Sequence, residues 1–206
     1  DRDVLQYKPD LVFLDFTLND NAFDTNDDAL NAYEGILRRI LQNGKCTVIP
    51  VFLASRAFIE LKDIEVLKRR TSHIALAEHY GLNCADVVAG MREAYKAGKL
   101  NLDLLWPAEL FDATHPYDGG YAVYAEHVWN AFIKAVDNGC QTVLPDEWLF
   151  QPTYANIARV KISELKPLPK GWETTFPEVR AGTFDCMCSR WMDNVAAASN
   201  CIRRAY

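Results

Sequence analysis

Apolar runs alternate with helix-spaced segments along the first two thirds of this chain, and that rhythm leaves few folds open. Residues 11–16, Leu-Val-Phe-Leu-Asp-Phe, form a nearly continuous apolar run, the pattern of a strand covered on both faces. A polar, acidic stretch follows. Leu30, Tyr33, Ile36, Leu37, Ile40 and Leu41 then recur at helical spacing and stop at Asn43-Gly44. Residues 46–53 read as a second strand, rich in β-branched side chains. Residues 64–80 read as a helix with Ile64, Leu67, Ile74 and Leu76 inward and Gly81 as its stop, and 83–88 as a short third strand. Two more helices are predicted over 90–99 and 121–136, the last closed by Asn138-Gly139. Strands alternating with helices lie parallel and are joined by helical crossovers, so the predicted fold class is α/β, a doubly wound parallel sheet.

Size and charge narrow the function classes. A chain of 206 residues can bury the core of one ordinary domain. Its 22 Lys and Arg against 28 Asp and Glu give a formal charge of −6, and no basic stripe is visible, so a nucleic-acid partner is not expected. The longest apolar runs fall well short of the roughly 20 residues a membrane-spanning helix needs, so no membrane span is expected. Six cysteines are too scattered for a disulfide framework. Cys46 and Cys84 read as small core residues. Cys186 and Cys188 form a close pair with no second pair at zinc-like spacing.

After Gly139 the texture changes. Pro145, Pro152, Pro167, Pro169 and Pro177 appear, with short β-type stretches such as 158–162. We read residues 1–139 as the α/β domain and 140–206 as a crossover followed by a β-rich appendage. Residues 1–8 read as the tail of a helix, so the chain is expected to be a segment of a longer polypeptide.

In open α/β sheets, ligands bind outside the carboxyl ends of the strands, where the loops diverge. Two loops carry chemistry there. The first follows the opening strand and contains Asn19 and Asp20. The second reads Phe111-Asp-Ala-Thr-His-Pro-Tyr-Asp-Gly-Gly120, with Asp112 three positions before His115. A carboxylate and an imidazole at that spacing can hydrogen-bond, leaving the other ring nitrogen to take a proton from a nucleophile. The Asn19 amide can donate to a developing oxyanion. Each of these residues also has a plainer reading: Asn and Asp after a strand are common turn residues, and a loop His is usually just solvated. Asp24, Asp27 and Asp28 suit the dipole of the following helix better than a cation. His73 and His79 lie off the helical repeat, which argues against a shared metal. His127 falls within the last helix. The five tryptophans, Trp106, Trp129, Trp148, Trp172 and Trp191, are expected in the core.

The combination and its order resemble the SGNH or GDSL hydrolase family. Lys8-Pro-Asp-Leu-Val-Phe-Leu-Asp-Phe-Thr-Leu-Asn-Asp20 is similar to that family's third block, an apolar strand running into Gly-x-Asn-Asp. Phe111-Asp-Ala-Thr-His-Pro116 is similar to its fifth, Asp-x-x-His-Pro. The likeness covers residues 5–136, and Gly171-Trp172 adds a weaker likeness to the β-rich appendage of carbohydrate-directed members. The resemblance implies a flavodoxin-like sheet and a serine esterase or deacetylase acting on a small acyl group, such as acetyl on a carbohydrate. In that reading His115 is the general base, Asp112 its orienting partner and Asn19 an oxyanion donor, with no metal or organic cofactor. Thr17 stands where the family has Gly. The Gly-Asp-Ser block with the nucleophile is absent, and none of Ser55, Ser72, Ser163, Ser189 and Ser199 has its context. The resemblance therefore implies that strands pairing with residues 11–16 come from the same polypeptide upstream or from another chain, since an open apolar edge invites aggregation. The alternative expectation is a non-catalytic glycan-binding module on the same scaffold. A flavodoxin-like ligand binder is weaker still, because no Gly-rich phosphate loop follows a strand.

Overall fold

Three parallel strands, β1 (Leu11–Asp15), β2 (Thr47–Phe52) and β3 (Ala85–Asp86), form a sheet in the order β1-β2-β3. The structure, a computed structural model, describes residues 4–24, 27–43, 46–110, 112–139, 142–157, 172–175 and 201–204. Among these residues six α-helices accompany the strands: α1 (Asp27–Asn43), α2 (Arg56–Glu60), α3 (Lys68–His79), α4 (Val87–Lys96), α5 (Leu102–Leu105) and α6 (Asp118–Asp137). The molecule is thus α/β with a parallel sheet, as the alternating pattern predicts.

The two-residue period of a strand sends neighbours to opposite faces, and a core forms on each. Leu14 and Val48 pack with Tyr33 and Leu37 of α1 and Leu76 of α3. Ile49 and Val51 pack with Val88 and Met91 of α4 and with Tyr124, Ala131 and Ala135 of α6. Leu11 joins this second core, whereas Phe13, two residues along the same strand, is 48% exposed. Pro50 sits in the middle strand because β3 reaches only Val51 and Phe52, leaving the ladder open beside the proline.

Several sequence expectations shift in detail. The helix expected over 64–80 divides into a 3-10 turn, Ile64–Val66, and α3. The Asp63 carboxylate accepts from the Glu65 amide at 2.9 Å, and Leu67, at ψ 75°, leaves the helical path between them. The third strand is cut to two residues because the Asp86 carboxylate caps α4 by accepting from the Ala89 amide at 3.1 Å, which turns Val87 and Val88 into helix. Helix α2 went unread because five residues are too short for a period to show; Ser55 caps it, accepting from the Phe58 amide at 3.3 Å. The tryptophans do not share one fate. Trp106 is buried, but Trp129 is 59% exposed, which corrects the expectation of core packing there.

Contacts divide the chain into Asp1–Ala155 and Asn156–Tyr206. Residues 143–154 therefore belong with the α/β unit, held by a polar clamp. Fully buried Glu34 accepts from the Tyr80 hydroxyl at 2.6 Å and from the Leu149 and Phe150 amides, each at 2.8 Å. Arg38 donates to Tyr80 Oη at 2.9 Å and lies 4.7 Å from the centroid of the Trp148 ring. Gly35 lets the 3-10 turn Pro152–Tyr154 approach, since a Cβ there would stand 2.9 Å from Tyr154 Cβ. Glu34→Gln puts an amide, with one oxygen in place of two, where the Tyr80 hydroxyl and two backbone N–H donors need acceptors at a buried position, and is expected to cost about 2 kcal/mol. An unchanged urea midpoint would show the clamp adds nothing.

In the second unit, strands β4 (Trp172–Thr175) and β5 (Cys201–Arg204) pair antiparallel, Trp172 opposite Arg204. The β stretch expected over 158–162 and the Cys186 and Cys188 pair lie outside the described residues.

Candidate active site

Parallel strands put all their carboxyl ends on one side, and two loops meet α2 there. The loop after β1 reaches it through Phe23, whose ring packs edge-on against Phe58 at 6.0 Å. The loop before α6 reaches it through Ala113, whose carbonyl accepts from the Arg56 amide at 2.9 Å. The start of α6 is moored nearby: the Tyr117 amide donates to Leu105 O at 2.7 Å, and Tyr124 Oη donates to Ala54 O. Asn19 and His115 therefore belong to loops on the same side of the sheet.

His115 Nδ1 lies 2.7 Å from Asp112 Oδ2, while Asp112 Oδ1 accepts from the Thr114 and His115 amides at 2.8 and 3.0 Å. A carboxylate only accepts, so Nδ1 carries the proton and Nε2 presents a lone pair. The His115 amide above all, then the imidazole and the Thr114 amide, pull the Asp112 carboxyl down to about 2. The imidazole is 71% exposed, and no described residue bonds to Nε2. The sequence spacing thus becomes an imidazole held in one orientation by its own loop, with Nε2 turned away from Asp112.

What points the loop is a close approach. A Cβ on Gly120 would stand 2.3 Å from Pro116 Cβ, whereas one on Gly119 would meet only the tip of Leu105 at 3.4 Å. Gly120→Ala must push the proline ring, and with it the neighbouring His115. We expect it to cost about 1–3 kcal/mol and to move the His115 ring resonances. Gly119→Ala serves as the control and is expected to leave both nearly unchanged. Equal effects would remove the proline contact as the reason.

Asn19 is exposed, its side-chain amide bonded to no described residue. The Asn19 and Asp20 amides both donate to Phe16 O, at 3.1 and 2.9 Å, which makes the turn. Thr17 is fully buried; its amide donates to Asp15 Oδ1 and its hydroxyl to Val51 O at 3.4 Å. Burial pushes the Asp15 and Asp20 carboxyls upward. Of the serines, Ser55 lies close to the site but is committed to capping α2, and Ser72 is on α3; Ser163, Ser189 and Ser199 lie outside the described residues.

Beside Asp112 is a cavity of about 170 Å³ lined by Arg56, Trp106, Pro107, Ala108, Asp112 and Ala113. Sequence reasoning missed Arg56. Its guanidinium bonds Glu60, one helical turn on, at 3.1 Å, and also Asp103 at 2.8 Å and Trp106 O at 3.2 Å, two partners no local pattern reveals. The Arg56 charge is thus taken up by two carboxylates, and the rest of the lining apart from Asp112 is apolar.

The other histidines go elsewhere. His73 is buried against Tyr33, His79 contacts Glu147 O at 3.1 Å, and His127 packs on Gly90. Among the described residues, no group of three or more His, Cys, Asp or Glu side chains is placed to hold a metal, and no helix is long and apolar enough to cross a membrane. No protein-family model, curated protein or solved structure significantly matches this chain.

Proposed function

We propose that this chain supplies the base and oxyanion half of an SGNH-type serine esterase or deacetylase, with the nucleophilic serine on strands outside residues 1–206. The observation that carries the reading is the His115–Asp112 pair, presented at the carboxyl side of a parallel sheet with Nε2 unengaged. In the first step the serine oxygen attacks the ester carbonyl and Nε2 takes its proton. The tetrahedral oxyanion accepts from the Asn19 amide, and collapse expels the alcohol, which receives the proton from His115. Water then enters by the same base and releases the acid. No step needs a metal or an organic cofactor.

Two features of the sheet support a missing neighbour. β1 ends the sheet and has an unpaired edge among the described residues, and Phe13 is half exposed on the face that α4 and α6 cover further along. A further strand with its helix, from the same polypeptide or another chain, would cover both. The small cavity beside Asp112, walled on its apolar side by Trp106, Pro107, Ala108 and Ala113, has room for a small acyl group, in keeping with an acetyl ester, including one on a carbohydrate. The glycan-binding alternative rests on the absent nucleophile and the five tryptophans, and the tail it would present to a glycan lies mostly outside the described residues.

The test is the natural reading frame upstream of Asp1, or the partner chain, expressed together with residues 1–206. It should contain Gly-Asp-Ser after an apolar strand and hydrolyse nitrophenyl acetate, with loss of activity on serine-directed phosphonylation. A protein that carries such a serine and hydrolyses no short-chain ester would end the proposal.

A further inference from the structure

We propose that Arg69 is the positioning residue of the Asn19 loop, holding the carbonyls of Asp20 and Ala22 so that the Asn19 amide is presented in one orientation. The catalytic consequence rests on reading Asn19 as the oxyanion donor; the clamp itself does not.

Arg69 is the second residue of α3 and is 1% exposed. Its first-turn amide would lack an intrahelical acceptor, and Leu67, at the N-cap, makes no side-chain capping bond. That amide instead donates to Ala22 O at 3.0 Å, and the guanidinium Nε donates to Asp20 O at 3.1 Å. One residue thus grips two carbonyls just beyond Asn19. On the other side, Phe16 O accepts from both the Asn19 and Asp20 amides. The guanidinium also offsets the burial that pushes the Asp20 carboxyl up. A donor that serves a developing oxyanion is effective only if it needs no reorganisation, and an exposed turn held at one end is a poor platform for that. Arg, unlike Lys, directs its Nε–H along a fixed plane, so Lys at this position keeps the charge and loses the directed bond.

Nuclear magnetic resonance on the chain itself reads the clamp. In the wild type, a scalar coupling across the hydrogen bond should link Arg69 15Nε to the Asp20 carbonyl 13C. In Arg69→Lys, amide exchange protection at Asn19 and Asp20 should fall about tenfold or more, with Ile49 in β2 unchanged. Absence of the coupling overturns the proposal even if the variant does not fold, and unchanged protection overturns it if it does. In the serine-bearing protein, Arg69→Lys should lower kcat about tenfold at constant KM and add nothing once Asn19→Ala is present; additive effects would reduce Arg69 to a stabilising residue. A positive coupling in a protein without esterase activity would keep the clamp and discard the esterase reading.

Discussion

Replacing His115 with alanine in the serine-bearing protein is expected to lower kcat for nitrophenyl acetate by about 10³–10⁴-fold, with the urea midpoint unchanged. The separation of activity from stability follows from where the residue sits. The imidazole is 71% exposed, and its side-chain partner, Asp112, lies on the same loop, so little packing is lost with it. Asp112→Asn should cost nearly as much. Its remaining oxygen can still accept from the Thr114 and His115 amides, but the group facing Nδ1 no longer has to be an acceptor, and the tautomer with a free Nε2 lone pair loses its support. Unchanged turnover in His115→Ala would remove the site assignment, whatever the fold.

The second large effect concerns acid. His73 is fully buried on α3, its ring stacked on Tyr33 with centroids 3.8 Å apart, and neither ring nitrogen finds a partner among the described residues. Burial, helped by the Arg69 charge, pushes its pKa down from 6.5 to about 3. The folded protein therefore keeps the ring neutral where the unfolded chain binds a proton. The stability held above pH 6.5 is lost as pH falls from 6.5 towards 3. At pH 4.5 the loss is about 3 kcal/mol from this residue alone. His73→Phe keeps an aromatic ring on Tyr33 and removes both orphaned nitrogens, so its stability should fall less between pH 7 and 4.5 by about that amount. Urea midpoints of the two proteins at the two pH values measure the difference; parallel declines would place the acid sensitivity elsewhere.

The hydrophobic periods were legible because they are local. A strand shows its alternation or its apolar run within five or six residues, and α1 and α6 are long enough for the helical repeat to show. α2 and the two-residue β3 were not, since a cap or a single pairing decides them. The Asp112–His115 bond was legible for the same reason, as both partners lie on one short loop and their spacing alone brings them together. Asn19 could be suspected as a turn residue at a strand end, but not what steadies it.

The α/β class and an imidazole oriented by its own loop are written in neighbouring residues, because the forces that set them act within a few positions of the chain. Folding in three dimensions alone set the short third strand, the exposure of Trp129 and the side of the sheet on which the two loops gather. It also supplied the partners that hold them: Arg69 meets a carbonyl 49 positions away and Glu34 an amide 115 positions away. A buried polar group will accept any donor that packing delivers, and no local pattern names which one arrives.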